Sequence, residues 1–465
     1  MDKISRRSFL RGGVAGVAAM AVSTPLASCS GERPSVQQPP VVGSYDVVVC
    51  GGGPAGVMAA LAAARQKMKV ALVERYGFLG GMATMGYVMP ISEFTFNGHL
   101  VIGGIPWEFI KRLESMGGAY IETPKGNVDF DVELYKLCMQ RMVLEAGVDL
   151  YMHSYMTGCT MDGNRLQQII IHNKNGAEAI EGKTFVDATG DADLAHMAHV
   201  PMQPDADGER QPSSFCFILS GVKTDSDMMM RCMYHDGRSG PSQCLPVREK
   251  LLKMKEEGAD LPDFGGPWFN NVMHKGSVAV NMTRLAADAC DNRGFMQAEC
   301  RLREDIFKFV RILRENFEDF KHCYVSSTAP QAGIRESRRI LGVHTVSAEE
   351  YLGGYRYEDS VSRGAHPIDI HSSKGAGQVR SDLKQAAYVP YRCMIAQDYP
   401  NLLVAGRCVS ADRHALASLR VQASCMGMGQ AAGAAAAQSV RTGRDVQGID
   451  TAELVSTLKK WGAVI

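Results

Sequence analysis

Tyr45-Asp46-Val47-Val48-Val49-Cys50-Gly51-Gly52-Gly53-Pro54-Ala55-Gly56 is the stretch on which the fold turns. Tyr45 to Cys50 is a short run of strand formers, and Val57 to Met68, directly after the glycines, has the Ala-rich composition of a helix. Lys69-Val70-Ala71-Leu72-Val73 is a second strand, ending in Glu74. Strand, glycine turn, helix and strand within about 30 residues make a dinucleotide-binding unit. Gly51 permits the tight turn, Gly53 lets backbone approach a pyrophosphate, and Gly56 lets the helix lie close on the sheet. Pro54 and Ala55 open that helix, where unpaired amides and the dipole favour an anion. Glu74, 23 residues past Gly51, is placed to accept two ribose hydroxyls.

The motif alone does not separate NAD from FAD, so the downstream sequence decides. Arg75-Tyr76-Gly77-Phe78-Leu79-Gly80-Gly81-Met82-Ala83-Thr84 is a Gly-rich segment suited to pass close to the rest of a long dinucleotide. Residues 184–193 read as a buried strand running into Ala188-Thr189-Gly190, and Asn401 to Arg407 as another strand followed by an Ala- and Gly-rich helix. Three separated strand-to-glycine junctions fit one extended ligand. These segments resemble the FAD-dependent oxidoreductases of the two-dinucleotide-binding-domain type, related to the fumarate reductase and heterodisulfide reductase A flavoproteins. The blocks Gly333 to Ile340, Pro367 to His371, Val389 to Arg392, and Ala405-Gly406-Arg407-Cys408 through Met428 to Gly433 are similar to those of one bacterial branch.

The resemblance implies FAD as cofactor. It implies that Gly51, Gly53, Gly56 and Glu74 hold the ADP half, with Pro54, Ala55 and Arg75 beside them. Gly81, Met82, Ala83 and Thr84 pass near the pyrophosphate or flavin, Ala188, Thr189 and Gly190 flank the adenosine side, and Gly406 and Arg407 approach the pyrophosphate and ribityl chain. The helix beginning near Val421 and Gln422 aims its N-terminus at the flavin, whose reduced form is anionic near N1 and O2. The candidates for substrate chemistry are His371, Arg335 and Tyr391, ahead of Arg392, His414 and Arg420. Arg335 and Arg339 share a face in either a helix or a strand and make a cationic patch for a carboxylate or a polarised oxygen.

The implied fold is α/β, a Rossmann-like FAD-binding domain from residues 45–204 and 385–440. Residues 205–384 are an inserted α+β substrate or cap domain, and 441–465 a C-terminal segment. Within the insert, Glu299 to Glu318 has helical periodicity through Ile306, Phe309, Val310 and Leu313, and Gly208 to Pro212 reads as a loop. Gly427-Met428-Gly429 and Gly433 follow no strand, so they read as close helix packing and not as a second dinucleotide site. Asn281-Met282-Thr283 reads as a chance glycosylation sequon, and the run Met228 to Met230 as core filling.

The first 28 residues read as an export signal, followed by a linker at 29–43. Lys3, Arg6, Arg7 and Arg11 precede a short apolar run from Gly12 to Val22, too short for the roughly 20 residues a bilayer span needs. Ser5 to Arg11 resembles a twin-arginine signal. Leu26-Ala27-Ser28-Cys29 resembles a lipobox, which would anchor an envelope protein through a lipid on Cys29. Removing these 28 residues leaves 46 basic against 49 acidic residues, a near-neutral chain. With 45% apolar and 22% charged positions over 465 residues and no basic block beyond the first dozen, the composition excludes disorder, fibre and a nucleic-acid partner.

No C-x-x-C occurs among the 13 cysteines, so no cluster or zinc site is expected, and no metal. Cys232 with Cys244, Cys290 with Cys300, and Cys393 with Cys408 are the near pairs, from which one or two disulfides are expected among buried thiols. His196 and His199 with Asp191 and Asp193 read as an Asp-capped helix carrying ordinary histidines, not a metal site. Two functions follow. One is hydride transfer between flavin N5 and a small hydroxylated or carboxylated metabolite of the envelope, with an electron acceptor or donor left unnamed. The other is an electron-transfer flavoprotein resembling heterodisulfide reductase A that relays electrons to a protein partner, although this chain lacks that relative's Cys-rich motifs.

Overall fold

A seven-stranded sheet carries the site in the computed structural model, which describes residues 38–204, 210–233, 243–372 and 375–465. Its strands are β1 (Val41–Cys50), β2 (Val70–Val73), β3 (Asp149–Tyr151), β4 (Tyr155–Asp162), β5 (Arg165–Asn173), β6 (Gly176–Asp187) and β7 (Leu402–Val404). The order is β3-β2-β1-β6-β5-β4, with β7 pairing β6. The export signal, the linker up to residue 37 and the first two residues of the loop at 208–212 lie outside the described residues.

Strand β6 changes neighbour along its length. Its first half, Gly176 to Glu181, pairs antiparallel with β5, and its last three residues pair parallel with β7. The strand is long enough for β1 to pair with it from Val41, so the last three residues of the expected linker are strand: Val41 stands opposite Ala179. Val41 and Val42 are exposed there, two β-branched strand formers that the Pro-, Gln- and Ser-rich stretch before them masks.

Both faces of the parallel part are covered, as βαβ connections require. Val47 and Val49 pack on one side with helix α1 (Pro54–Arg65) and helix α2 (Gln422–Thr442), while Val48 and Cys50 pack on the other with Ile169, Ile171, Phe185 and Leu194. The two helices touch backbone to backbone. A Cβ at Gly429 would lie 2.0 Å from the Ala55 carbonyl oxygen, and one at Gly433 2.0 Å from that of Ala59. Those glycines serve helix packing, as their sequence context indicates.

A four-stranded antiparallel sheet is built from Phe264–Asn271, Ser277–Thr283, Phe217–Ser220 and Tyr324–Thr328, in that order. Helix Asn292–Asn316 buries Ile306, Phe309 and Leu313 as its periodicity indicates. Pro39 to Ile465 form one compact unit. Among the described residues no helix is long and apolar enough to cross a membrane.

Cys232 and Cys244 are joined by a disulfide, while Cys290, Cys300, Cys393 and Cys408 are free. The short helix Asp193–Met197 is not capped by an aspartate at its own start: Ala192 is the N-cap residue, at φ +54. The buried Asp187, at the end of β6, reaches over to accept from the Ala195 amide at 2.8 Å.

Candidate functional site

Parallel pairing sets Cys50 beside Val73 and Asp187, and Asp187 beside Val404, so four strands end in one row. The segments that leave those ends, Gly51 to Ala55, Glu74 to Arg75, Ala188 to Asp191 and Ala405 to Arg407, line one cavity. This is the place where open α/β sheets bind ligands, outside the carboxyl ends of the strands.

The turn after β1 needs glycine. Gly51 has φ +100, and a Cβ there would lie 2.5 Å from the Ala188 carbonyl oxygen. At Gly56 a Cβ would lie 1.8 Å from the Gly51 oxygen, so Gly56 is a packing residue behind the wall and not part of it. Gly53 differs from both: a Cβ would meet only the Cα of Gly81, at 3.7 Å, and otherwise project into the cavity. The helix it precedes is capped by no side chain. That combination leaves α1's first amides facing open space, the arrangement that receives a phosphate.

Glu74 is buried, and its carboxylate accepts from the Gly52 amide at 2.7 Å and the Tyr76 amide at 3.0 Å. Burial raises its pKa, against the pull of those two amides and of Arg75. Arg407 is held by Asp191 at 2.9 Å and by Ser337 at 3.1 Å. Burial would raise the pKa of Asp191, but Arg407 and the other cations around it outweigh that and hold it ionised.

At the start of α2, Val421 and Gln422 line the cavity, again with no side-chain cap. Gln422 Nε2 donates to the Val88 carbonyl at 2.7 Å, while its buried Oε1 has no partner among the described residues. A free acceptor beside a helix N-terminus, an uncapped helix behind Gly53 and an acid at the end of β2 together fit a dinucleotide with a polar ring system.

The same cavity contains a cationic cluster. Arg335, 8% exposed, donates to Pro212 O at 2.5 Å and to Ser214 Oγ at 2.8 Å. Behind it Arg284 also bonds Ser214 and donates to Asn281 Oδ1 at 2.9 Å, leaving its buried NH2 without a hydrogen-bond partner among the described residues. Arg420 donates to Asp369 O at 3.2 Å, and its buried Nε has no hydrogen-bond partner among the described residues. Burial and the two neighbouring guanidinium groups push the pKa of Arg335 well down.

His371 and Asp369 stand two apart on the strand Ile368–His371 and so share a face. His371 Nε2 lies 3.1 Å from Asp369 Oδ2. Burial and Arg335 lower the pKa of His371 to about 3, so the ring is neutral at ordinary pH and its Nε2–H is committed to Asp369. Asp369 itself stays ionised, its bond to His371 overcoming burial.

Of the residues expected at the site, the turn residues Gly51, Gly53, Pro54 and Ala55 line the cavity with Glu74, Arg75, Gly81 and Met82. So do Ala188, Thr189, Gly190, Gly406, Arg407, Val421 and Gln422, and on the substrate side Arg335, His371 and Arg420. Ala83 and Thr84 do not: Thr84 is buried with its hydroxyl on the Leu79 carbonyl at 2.7 Å, closing the turn that presents Gly81 and Met82.

Tyr391 is corrected as well. It is buried away from the cavity, and its hydroxyl donates to the Val446 carbonyl at 2.8 Å, tying down the C-terminal segment. Arg392 pairs with Asp359, His414 is exposed, and the guanidinium of Arg339 donates to Ala411 O. The segment around Arg335 and Arg339 is neither helix nor extended strand, so only Arg335 of the two reaches the cavity.

Residues that sequence reasoning missed include Asp369, Trp268, Asn270 and Asn281. Asp369 was findable from its two-residue spacing to His371. The other three come from the four-stranded sheet, whose pairing is not written in any local pattern; the Asn281 sequon proves to hold a cavity residue and a fully buried Thr283.

A family model described as FAD dependent oxidoreductase matches residues 46–458. Dihydrolipoyl dehydrogenase of Trypanosoma brucei brucei is 32% identical over 159 residues, 32% of this chain and 31% of that protein, so the match spans about a third of that relative's length. Among solved structures, a geranylgeranyl bacteriochlorophyll reductase-like protein of Thermoplasma acidophilum is 14% identical, with 90% of this chain and 82% of that one covered at a TM-score of 0.44. A flavoprotein/dehydrogenase of Cytophaga hutchinsonii is 13% identical, with 90% and 86% covered at 0.43.

Proposed function

We propose, on the premise that this chain belongs to the FAD-dependent oxidoreductase family, that it transfers a hydride between FAD and a small hydroxylated carboxylate in the cell envelope. FAD is the cofactor, and when bound it supplies a two-electron hydride donor or acceptor at N5. Gly53 and the start of α1 would hold its diphosphate, Glu74 its ribose, and Gln422 the polar edge of its ring.

The observation that carries the choice of substrate is the group of Arg335, Arg284 and Arg420 near one ionised carboxylate, Asp369, with the first two arginines buried and Arg420 half-buried. Three guanidinium groups with two unpartnered buried N–H donors are costly to hide from water unless an anion meets them. A substrate carboxylate supplies that anion, and Arg335 orients it through charge-assisted bonds. His371, neutral and tied to Asp369, offers Nδ1 as an acceptor that orients the substrate's hydroxyl. A ring with so low a pKa stores no proton at neutral pH, so His371 is assigned to orientation and not to proton removal. The walls of the cavity exclude water from the carbon that loses or gains the hydride. The envelope location rests on the signal-like residues 5–29.

The test is anaerobic mixing of the FAD-loaded full chain with a panel of 2-hydroxy acids, sugar acids and neutral polyols, following the flavin absorbance. Bleaching by one or more hydroxy acids and by no neutral polyol is expected. Bleaching by neutral polyols alone, or only by a reduced protein donor, contradicts the reading.

A further inference from the structure

One wall of the cavity has no part in the chemistry above. Ser92 and Glu93 turn into it from the segment after β2 and α1, and Lys125 and Asn127 flank them from the neighbouring hairpin of strands Ala119–Glu122 and Asn127–Phe130. Glu93 has φ +58, a left-handed conformation that costs a Glu free energy and persists only where its surroundings impose it. They do so through the backbone. The Glu93 amide donates to Asn127 Oδ1 at 3.1 Å, Asn127 Nδ2 donates to Glu122 Oε2 at 2.8 Å, and Ile91 pairs with Val128.

The main chain is therefore pinned while the Glu93 carboxyl group, among the described residues, has neither a hydrogen-bond donor nor an ion-pair partner. The charged and titratable groups facing it are Lys125 and Glu122 from the hairpin, Arg380 and Asp382 from the strand Gln378–Ser381 and its end, and Tyr351 from the helix Ala348–Gly353. Arg380 stands opposite Asp369 in the pairing of that strand with Ile368–His371, so Glu93 lies near the hairpin whose first strand carries Asp369 and His371. Burial dominates these influences and lifts the Glu93 pKa to about 7. The two candidates for moving a proton in this cavity thus differ sharply: His371 is neutral and already bonded, and Glu93 is unbonded, with its pKa raised by burial to about 7.

We propose that Glu93 is the general base that takes the substrate's hydroxyl proton, and the general acid that returns it in the reverse direction. The inference rests on the hydride-transfer reading and deepens it. In the oxidation, the substrate C–H bond breaks with its electron pair passing as hydride to FAD. The O–H bond breaks with its proton passing to a Glu93 carboxylate oxygen, and the C=O bond forms. Glu93 then releases the proton to solvent.

The experiment has two arms on the FAD-loaded full chain. Infrared difference spectra across neutral pH should show one buried carboxyl signal that is lost in Glu93→Gln, beside that of Asp129, whose pKa burial also lifts to about 7 and which remains in the variant. Flavin bleaching by the hydroxy acid that acts best in the panel should accelerate as pH rises through the same midpoint, since the base must be ionised. In Glu93→Gln it should be at least about 100-fold slower and flat with pH, while His371→Ala keeps the midpoint. A neutral-range infrared signal unchanged in Glu93→Gln, or wild-type rate and midpoint in that variant, overturns the proposal. If no panel compound bleaches the flavin, the substrate reading falls on its own, and the infrared arm alone decides for or against Glu93.

Discussion

The two walls of the cavity are built by opposite means. The dinucleotide wall is made of backbone: glycines at strand ends, two uncapped helix starts, and one acid that is itself held by main-chain amides. The substrate wall is made of buried charged side chains from elements far apart in sequence. A backbone site is specified by what must be absent, so one added carbon disables it. A side-chain site is specified by what must be present, so each member contributes a separable share. The contrast predicts that damage to the first wall is all-or-none and damage to the second is graded.

The largest effect belongs to the packing beneath the first wall. Gly433→Val places carbon against the Ala59 carbonyl and should cost about 3 kcal/mol or more, lowering the thermal midpoint and releasing flavin together with the fold. A variant that melts like wild type would show that α1 and α2 do not need to touch.

Arg335→Met should keep the flavin and lower kcat/KM for the best hydroxy acid by at least about 30-fold, the scale of losing one buried charge-assisted contact. Loss of flavin in this variant would mean that the walls are not separable.

A smaller effect concerns acid stability. The His371 pKa is about 3 in the folded chain and near 6.5 when unfolded, so between those values the unfolded chain binds the extra proton. The contribution is fully present above the unfolded value and is lost as pH falls toward 3, by at most about 1.4 kcal/mol per pH unit. Denaturant melts on acidification should therefore lose more stability in wild type than in His371→Asn; parallel loss would remove the ring from the acid response. Smallest of all, Tyr391→Phe should cost about 1 kcal/mol through its bond to Val446 and leave flavin content and rates unchanged.

The same contrast explains what could be read in advance. Gly51, Gly53 and Glu74 are legible because a strand, a turn and a helix are local patterns, and the row of strand ends follows once the strands are parallel. Gly429 and Gly433 are legible as packing because no strand precedes them. Asn270 and Asn281 are not legible, since only the pairing of Phe264–Asn271 with Ser277–Thr283 brings them to the cavity, with Arg284 behind it. Glu93 is hidden for another reason: its position depends on a left-handed backbone that nothing about a glutamate suggests. Tyr391 misleads because a residue can belong to a recognisable block and still point away from the site that the block surrounds.

Titrating flavin-free protein with FAD, wild type against Gly53→Val, tests the account most directly. A Cβ there meets only the Gly81 Cα, at 3.7 Å, so the fold should survive with its thermal midpoint intact. The account predicts one FAD bound per wild-type chain and none in the folded variant. Equal FAD binding by a folded Gly53→Val chain would contradict it.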